Sequence, residues 1–246
     1  MQIIYFYSLK VLKFNKPSNL IKFILNKLSL NEKIFLVTLN SLMLFHYFIE
    51  KKFKKILEEA DIIIPESIGI KLIFKIYNKK IKIINGIDFL KYIFSMAEKY
   101  SLSIFLLGSY DEILKKAVKN IKKEYPKIKI IGYHNGYFKS EKKILKTINK
   151  LEPDILLVGL GSVKQEKWIC KNLKKIRAKL FLGVGGSFDV LSGKKKRAPI
   201  ILRILNLEWL YRLIFSFSIK RLITIFKIFL LLIIVIISRI RKIFKF

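Results

Sequence analysis

Short apolar runs alternate with stretches of helical periodicity along most of the chain, and the spacing of the two predicts its architecture. Strands are predicted at residues 3–7, 11–14, 34–39, 61–65, 103–107, 128–131, 155–158 and 180–184. Helical patterns follow most of these runs, for example where Ile113, Leu114 and Ala117 share one side of a helix. The alternation predicts an α/β fold, in which helices flank a Rossmann-like, mainly parallel sheet.

Several polar residues are placed where helices should begin. Ser18 and Asn40 are predicted N-caps, and the pattern after Asn40 predicts a helix that runs to about residue 60. Ser109 and Glu112 have the spacing of a capping box at the start of a further helix.

The stretch DILLVGLGSVKQ, residues 154–165, carries the first indication of a ligand site. An apolar strand leads into the turn of Gly159, Gly161 and Ser162, and polar residues then begin a helix. Glycines allow close backbone approach, the N-terminus of a helix favours an anion, and Lys164 adds positive charge, so a phosphate site is predicted. The alternative is an ordinary strand-to-helix turn in which Ser162 and Gln165 form a capping box.

A second glycine-rich turn follows the next strand, with Gly185, Gly186 and Asp189. Because the carboxyl ends of parallel strands meet at one edge of a sheet, both turns should lie side by side there. Other polar side chains predicted at this edge are Thr38, Asn40, Glu66, Asp88, Tyr137, Lys164 and Gln165. Each has a structural alternative: a helix cap for Asn40 or Gln165, a solvated loop for Glu66, and a packed ring for Tyr137.

The length and the net charge of the chain limit the number of domains and the kinds of partner that can be expected. A chain of 246 residues is long enough for one large α/β domain, predicted at 1–195, with an appendage at 196–246. The formal net charge of +32 favours an anionic partner, although lysines scattered among many Ile, Asn and Phe residues also indicate a compositional bias. The single cysteine, Cys170, excludes an internal disulfide and fits the cytoplasm. No secretory signal is expected at the N-terminus.

The appendage contains a wholly apolar run at 228–237. Ten helical residues reach about 15 Å, against a hydrocarbon core of roughly 30 Å, so spanning is not the expected arrangement. Basic residues flank the run at Lys220, Arg221, Arg239, Arg241, Lys242 and Lys245. They predict a helix that lies in an anionic membrane surface, with a buried C-terminal helix as the alternative.

An ordered series of motifs resembles the WecG/TagA/CpsF glycosyltransferase family. The motifs are VTLN at 37–40, ADIIIPESIG at 60–69, NGID at 85–88, FLLGS at 105–109, HNGYF at 134–138, PDILLVGLGSVKQEKW at 153–168, GVGGSFDVLSGKKKRAP at 183–199 and LEWLYRL at 207–213. The resemblance implies inverting transfer of an N-acetylmannosamine-type sugar, or another hexose, from a UDP-sugar donor. The implied acceptor is a polyprenyl-diphosphate-linked sugar at the cytoplasmic membrane face, in teichoic acid or other surface polysaccharide synthesis.

The resemblance also implies roles for particular residues. Glu66 is the expected general base, with Asp88 as its main competitor and Thr38 in support. The expected substrate-binding residues are Asn40, Gly86, Asp88, Gly108, Tyr137, Gly159, Gly161, Lys164, Gln165, Glu166, Gly185, Gly186, Asp189, Arg197 and Arg212. Two departures stand out. The family usually has Asp-Gly where this chain has Glu66-Ser67, and the EPxR segment expected after Arg212 is replaced by residues 216–219.

Neither a metal nor a cofactor is expected. No DxD pair is present, so the charge of a leaving diphosphate would be met by helix N-termini and by Lys or Arg. The lone histidines, His46 and His134, are expected to be structural. A dinucleotide-dependent oxidoreductase is disfavoured because the third glycine of G-x-G-x-x-G is missing after Gly161.

A basic, non-enzymatic protein that binds nucleic acid or a membrane surface is the alternative from another class. Its basic residues form no recognition motif, so no nucleic-acid partner is expected. A homo-oligomer is left open.

Overall fold

The computed structural model describes residues 2–205, 207–215 and 218–243. The strands are β1 (Gln2–Phe6), β2 (Leu9–Lys13), β3 (Ile34–Leu39), β4 (Ile62–Pro65), β5 (Ser103–Gly108), β6 (Lys129–His134), β7 (Ile155–Gly159) and β8 (Leu180–Gly183). The helices before the appendage are α1 (Pro17–Ser29), α2 (Ser41–Ile49), α3 (Lys51–Glu58), α4 (Ile68–Ile76), α5 (Gly86–Lys99), α6 (Asp111–Glu124), α7 (Glu141–Leu151), α8 (Lys164–Asn172) and α9 (Ser187–Leu191). Those of the appendage are α10 (Ile200–Ile204), α11 (Glu208–Phe215) and α12 (Ile219–Ile243).

The strands form one sheet in the order β1-β2-β4-β3-β8-β7-β5-β6. Only β1 is antiparallel to its neighbour, so the prediction of an α/β fold with a mainly parallel sheet is confirmed. The strands β4, β3, β8 and β7 are adjacent, and the loops that follow them meet at one edge of the sheet. We call it the carboxyl edge, and the opposite one the amino edge.

Two apolar cores, one on each face of the sheet, hold the helices in place. Alternate residues of the central strands point to opposite faces. On β3, for example, Phe35 and Val37 belong to the core beneath α2, α3, α4 and α8, whereas Ile34 and Leu36 belong to the core beneath α1, α5 and α6. Nearly all the side chains of the inner strands are buried, which explains their continuous apolar sequences.

Three predicted helix boundaries differ from the structure. Helix α1 begins at Pro17 after Lys16, so Ser18 is not its cap, because proline is already suited to the first helical position. The helix predicted from residue 40 to residue 60 is divided at Glu50, whose backbone is extended. Ser109 has a left-handed backbone (φ 51°), and its hydroxyl donates to Asp189 instead of capping α6. The prediction of Asn40 as a cap is confirmed, since its side chain accepts from the Met43 backbone N–H at 3.1 Å.

The C-terminal helix is longer than the sequence pattern predicted. Helix α12 has 25 residues, about 37 Å at 1.5 Å per residue. Its stretch Arg221–Ile240 has a mean hydropathy of 2.6 and is long and apolar enough to cross a membrane, judged by length and composition alone. Lys227 lies within this helix, and its ammonium group is 5.9 Å from the centre of the Phe45 ring.

One side of α12 packs on the α/β domain. Leu231 and Val235 are fully buried against α2 and α4, and the Tyr77 hydroxyl donates to the Val235 carbonyl at 3.3 Å. The helix therefore runs along the flank of the sheet from the carboxyl edge, near Phe45, towards the amino edge, near Tyr77.

Candidate active site

A polar cavity of about 180 Å³ opens at the carboxyl edge, and we call it the transfer cavity. The predicted site residues that line it are Thr38, Asn40, Glu66, Gly86, Gln165, Gly185 and Gly186. Polar residues that line it without having been predicted individually are Asn85, Ser162 and Ser187. The cavity thus combines loops after β3, β4, β7 and β8 with the first turn of α5.

Glu66 supplies the carboxylate of the transfer cavity. It directly follows β4, and its backbone N–H donates to the Leu39 carbonyl at 2.9 Å, which fixes the chain at this point. Its side chain is half-buried, and Oε1 accepts from the Gly86 backbone N–H at 3.2 Å. The N-terminus of α5 therefore faces this carboxylate, an arrangement that stabilises negative charge.

Two neighbours constrain the position of Glu66. A Cβ atom at Gly86 would lie 2.7 Å from Glu66 Oε1, so only glycine allows the observed approach. On the adjacent strand, the buried Thr38 pairs in register with Ile64, two residues before Glu66. The threonine and the carboxylate consequently line the same cavity.

Gln165 and Glu166 form a buried hydrogen-bonded group behind the cavity wall. Gln165 Oε1 accepts from the Gly185 N–H at 2.8 Å, and its Nε2 donates to Glu166 Oε1 at 2.7 Å. Glu166 Oε2 accepts from the Val163 N–H at 2.6 Å. The group therefore joins the glycine turn after β8 to the N-terminus of α8, and Gln165 is its member that lines the cavity.

Glu166 itself is only 1% exposed and does not line the cavity. Burial raises the pKa of Glu166 to about 7 against the opposing effect of its hydrogen bonds, and the nearby charge of Glu66 adds to the increase. Its position indicates that it orients Gln165, whereas the sequence led us to expect direct substrate contact.

Asn40 connects two of the loops that line the cavity. While its Oδ1 caps α2, its Nδ2 donates to the Ser162 hydroxyl at 3.1 Å. Ser162 thus contacts Asn40, and the N-cap position of α8 is taken by Val163, which has a left-handed backbone (φ 74°). The alternative in which Ser162 and Gln165 form a capping box is therefore wrong.

The predicted glycines have two distinct structural roles. Gly108 and Gly159 allow close packing: a Cβ at Gly108 would lie 2.3 Å from the Gly159 carbonyl oxygen, and one at Gly159 would lie 2.7 Å from the Phe188 ring. By contrast, Gly161 and Gly185 have positive φ values of 88° and 52° and open space where a side chain would be. At these two positions no side chain blocks approach to the turn, while the Gly185 N–H is already bonded to Gln165.

Asp88 and Arg197 contact each other outside the transfer cavity. The guanidinium donates to both carboxylate oxygens, at 2.7 and 2.9 Å. This bidentate pair attaches the start of the appendage to the first turn of α5. A second link comes from the buried Glu208, whose Oε2 accepts from Asn85 Nδ2 at 2.8 Å. Asp88, the competing candidate for the base, is thus committed to Arg197.

Tyr137 and Asp189 lie at the same edge but beyond the lining of the cavity. The exposed Tyr137 ring stacks on Tyr110, with a centroid distance of 4.5 Å and an interplanar angle of 23°. Asp189 accepts from the Ser109 hydroxyl at 3.0 Å and from the Lys195 ammonium group. The pKa of Tyr137 is raised, first by its hydrogen bond with Tyr110 and least by the charge of Asp189.

Of the predicted cationic residues, Lys164 is exposed at the first position of α8 and does not line the cavity. The side chain of Arg212 lies outside the described part of the structure. In the described ranges, no group of three or more His, Cys, Asp or Glu side chains is arranged to hold a metal ion.

Sequence reasoning missed Tyr110 and Glu208 as neighbours of the site. Tyr110 directly precedes α6, and its stacking on Tyr137 joins loops that are distant in sequence. Glu208 is part of the LEWLYRL motif, but nothing in its spacing pointed to Asn85.

A polar cleft at the carboxyl edge of a parallel sheet, with a half-buried carboxylate and two glycine turns, has the position at which α/β enzymes typically bind their ligands. The chain matches the model of the glycosyl transferase WecG/TagA/CpsF family over residues 5–243. It belongs to this family and is a glycosyltransferase. This membership contradicts the non-enzymatic alternative.

Curated relatives agree with the family assignment. A protein of Bacillus subtilis (strain 168) is 37% identical over 204 residues, covering 81% of this chain and 80% of the relative. A protein of Bacillus spizizenii is 32% identical, and the match covers 75% of this chain and 72% of the relative. A protein of Staphylococcus aureus (strain MRSA252) is also 32% identical, and that match covers 73% of this chain and 71% of the relative. All three are named N-acetylglucosaminyldiphosphoundecaprenol N-acetyl-beta-D-mannosaminyltransferase.

Proposed function

We propose that this protein transfers an N-acetylmannosamine-type hexose from a UDP-sugar to a polyprenyl-diphosphate-linked acceptor sugar, with inversion at the anomeric carbon. The reaction belongs to the synthesis of a surface polysaccharide or teichoic acid. The relatives' names supply the sugar and the acceptor class. The main structural support for the proposal is that the Glu66 carboxylate and Thr38 both line the transfer cavity.

Glu66 acts as the general base in this proposal. A sugar hydroxyl is a poor nucleophile, so a carboxylate that removes its proton during attack increases the rate. The acceptor oxygen forms a bond to the anomeric carbon as the bond from that carbon to the UDP oxygen breaks. Because attack comes from the side opposite UDP, one displacement inverts the configuration. Glutamate reaches one methylene further than the family's aspartate, and its contact with Gly86 gives the longer side chain a defined position.

The donor UDP is proposed to lie across the turns after β7 and β8. No side chain covers Gly161 or Gly185 there, so the diphosphate can approach the two turns, and the N-terminus of α8 with Lys164 offsets its charge. The uracil and ribose would contact the exposed face of Tyr137 and the Asp189 carboxylate. In this arrangement, Gln165 contacts the donor and Glu166 holds Gln165 in place.

Attachment to the cytoplasmic face of the membrane is proposed to involve α12. An apolar stripe on its exposed side is formed by Leu222, Phe226, Phe229, Ile233, Ile236 and Ile240. The stripe is opposite the docked residues Leu231 and Val235, so the helix can pack on the domain and enter a membrane surface at the same time. Basic residues such as Arg221 and Arg239 complement anionic lipids.

Substitution of Glu66 tests the proposed chemistry. Glu66→Gln should leave folding and UDP binding unchanged and lower transfer at least about a hundredfold, because it removes the base without changing the shape of the side chain. Glu66→Asp should retain partial activity. Glu112→Gln, which also neutralises one carboxylate but lies exposed on α6, is the matched control and should leave transfer unchanged. Near wild-type turnover of Glu66→Gln at saturating donor and acceptor would exclude Glu66 as the base.

A further inference from the structure

A second cavity lies at the amino edge, away from the transfer cavity. It has a volume of about 530 Å³ and is lined by Tyr5, Phe6, Tyr7, Tyr77, Asn78, Lys79 and Arg239. Strand β2 runs parallel to β4 and begins at Leu9, so the β1–β2 turn that supplies Tyr7 lies at the amino edge. Helix α4 begins after β4 and runs back, which brings Tyr77 to the same edge. A ligand here is therefore not the sugar donor of the transfer cavity.

The lining of this second cavity combines aromatic rings with positive charge. The Tyr7 and Tyr77 hydroxyls share a hydrogen bond of 2.8 Å, and the Arg239 guanidinium lies 5.6 Å from the centre of the Tyr77 ring. The Lys79 ammonium group donates to the Tyr5 carbonyl. The residues that line the cavity include two cations, Lys79 and Arg239, and no carboxylate. The charge of the cavity is therefore complementary to an anion.

The cavity lies at the C-terminal part of α12, next in sequence to the end of the apolar stripe. Arg239 directly precedes Ile240, the last described residue of the stripe, and Tyr5 and Tyr7, which line the cavity together with Arg239, are about half exposed. Tyrosine rings with a polar end are typical of the level of lipid headgroups in a membrane. A bilayer that covers the stripe would accordingly place its headgroups next to Arg239 and Lys79.

We propose that this cavity, the headgroup pocket, binds the phosphate group of an anionic phospholipid. Arg239 and Lys79 pair with the phosphate, and the tyrosine hydroxyls hydrogen-bond to its oxygens or to the lipid glycerol. The inference rests on the membrane attachment proposed above, but it does not depend on the sugar-transfer reaction. The pocket gives α12 a fixed point at its C-terminal end, so the flank of the domain faces the membrane in one orientation.

Vesicle binding by the full chain tests the pocket. The variant Lys79→Gln/Arg239→Gln is compared with Lys115→Gln/Lys119→Gln, which removes two exposed lysines from α6 on another part of the surface. Both variants lose the same formal charge. At an ionic strength of about 0.15 M, distant surface charges are largely screened. On vesicles of phosphatidylcholine with phosphatidylglycerol, the pocket variant should bind about 30-fold more weakly, since each cation near the surface contributes about a factor of five. The control variant should lose less than about threefold.

Three results would overturn the proposal. The first is an equal loss in the two variants, which would mean general electrostatic attraction. The second is an equally large loss of the pocket variant on phosphatidylcholine alone, which would mean that the residues only support the fold of α12. The third is failure of the wild-type chain to bind the anionic vesicles. Because these measurements need no sugar donor, they can succeed or fail independently of the transferase assay.

A local probe distinguishes the pocket from the rest of the surface. Lys80→Cys, in a Cys170→Ser background, carries an environment-sensitive dye next to Lys79, and Lys116→Cys carries the same dye on α6. Both positions are exposed lysines. Anionic vesicles should shift the emission of the dye at residue 80 to shorter wavelength and leave the dye at residue 116 unchanged. Equal responses at both positions would contradict a specific pocket.

Discussion

Replacement of Glu166 by glutamine should change how the stability of the protein depends on pH. The Glu166 carboxyl is buried and accepts hydrogen bonds from Val163 and Gln165, while the charge of Glu66 lies nearby. Glutamine has almost the same shape but no titratable proton. Comparison of the two proteins therefore isolates the contribution of this one carboxyl group.

The pKa of Glu166 sets the size and direction of the effect. Burial raises it from the ordinary value of 4.5 to about 7. As the pH rises above 4.5, the unfolded chain loses this proton while the folded protein keeps it until about pH 7. The stabilisation is thus complete below pH 4.5 and is lost as the pH rises through 7. At 1.36 kcal/mol per pH unit, the total change is on the order of 3 kcal/mol.

Urea unfolding of both proteins between pH 4.5 and 8 measures this change. The free energy of unfolding of the wild type, minus that of Glu166→Gln, should fall by about 3 kcal/mol over this range. An added constant cost of about 1–3 kcal/mol is expected for the variant, because its amide presents an N–H group where the carboxylate accepts a hydrogen bond. Glu112→Gln, which removes an exposed carboxylate from α6, is the control. A difference between wild type and Glu166→Gln that does not vary with pH would refute the reasoning.

Two further predictions concern the donor and the membrane. Tyr137→Ala should weaken UDP binding by roughly 1–3 kcal/mol, the contribution typical of one base stacked on an aromatic ring, whereas Tyr137→Phe should bind UDP normally. Calorimetry with UDP measures both affinities, and unchanged binding by the alanine variant would place the uracil elsewhere. Phe229→Glu/Ile236→Glu should detach the protein from anionic vesicles in a flotation assay, because both side chains are exposed on the apolar stripe of α12. The variant should still fold, because neither side chain belongs to the face of α12 that packs on the domain. Full retention on the vesicles would mean that another surface attaches the protein.

The sequence predicted the parts of the fold that depend on local patterns. Residues 34–39 and 155–158 are apolar throughout because both faces of the central strands are covered, and such runs are recognisable without an alignment. The sequence also predicted that the glycine turns after β7 and β8 lie side by side at the carboxyl edge, and the parallel pairing of these two strands confirms it. Glu66, Thr38 and Gln165 could be selected in this way.

The arrangement within the site depends on contacts between distant residues, which local patterns do not contain. Glu166 follows Lys164 and Gln165 at the start of α8, and such a run of polar residues is typical of a solvent-exposed helix start. The packing of α8 against β8 nevertheless buries Glu166. Asp88 had the sequence position of a possible base, but its pairing with Arg197 spans 109 residues. The length of α12 was underestimated because only the apolar run at 228–237 was counted, whereas the helix continues through the basic residues on both sides of it, including Lys227.

The most direct measurement of the proposed function is sugar transfer by the purified full-length chain. UDP-N-acetylmannosamine is supplied with a short-chain polyprenyl diphosphate that carries N-acetylglucosamine, and both UDP and the disaccharide product are quantified. We expect equal amounts of UDP and a β-linked product, at least about a hundredfold slower transfer in Glu66→Gln, and little UDP released without the acceptor. UDP release that does not depend on the acceptor, or a folded protein that forms no product with any UDP-sugar tested, would contradict the proposed function.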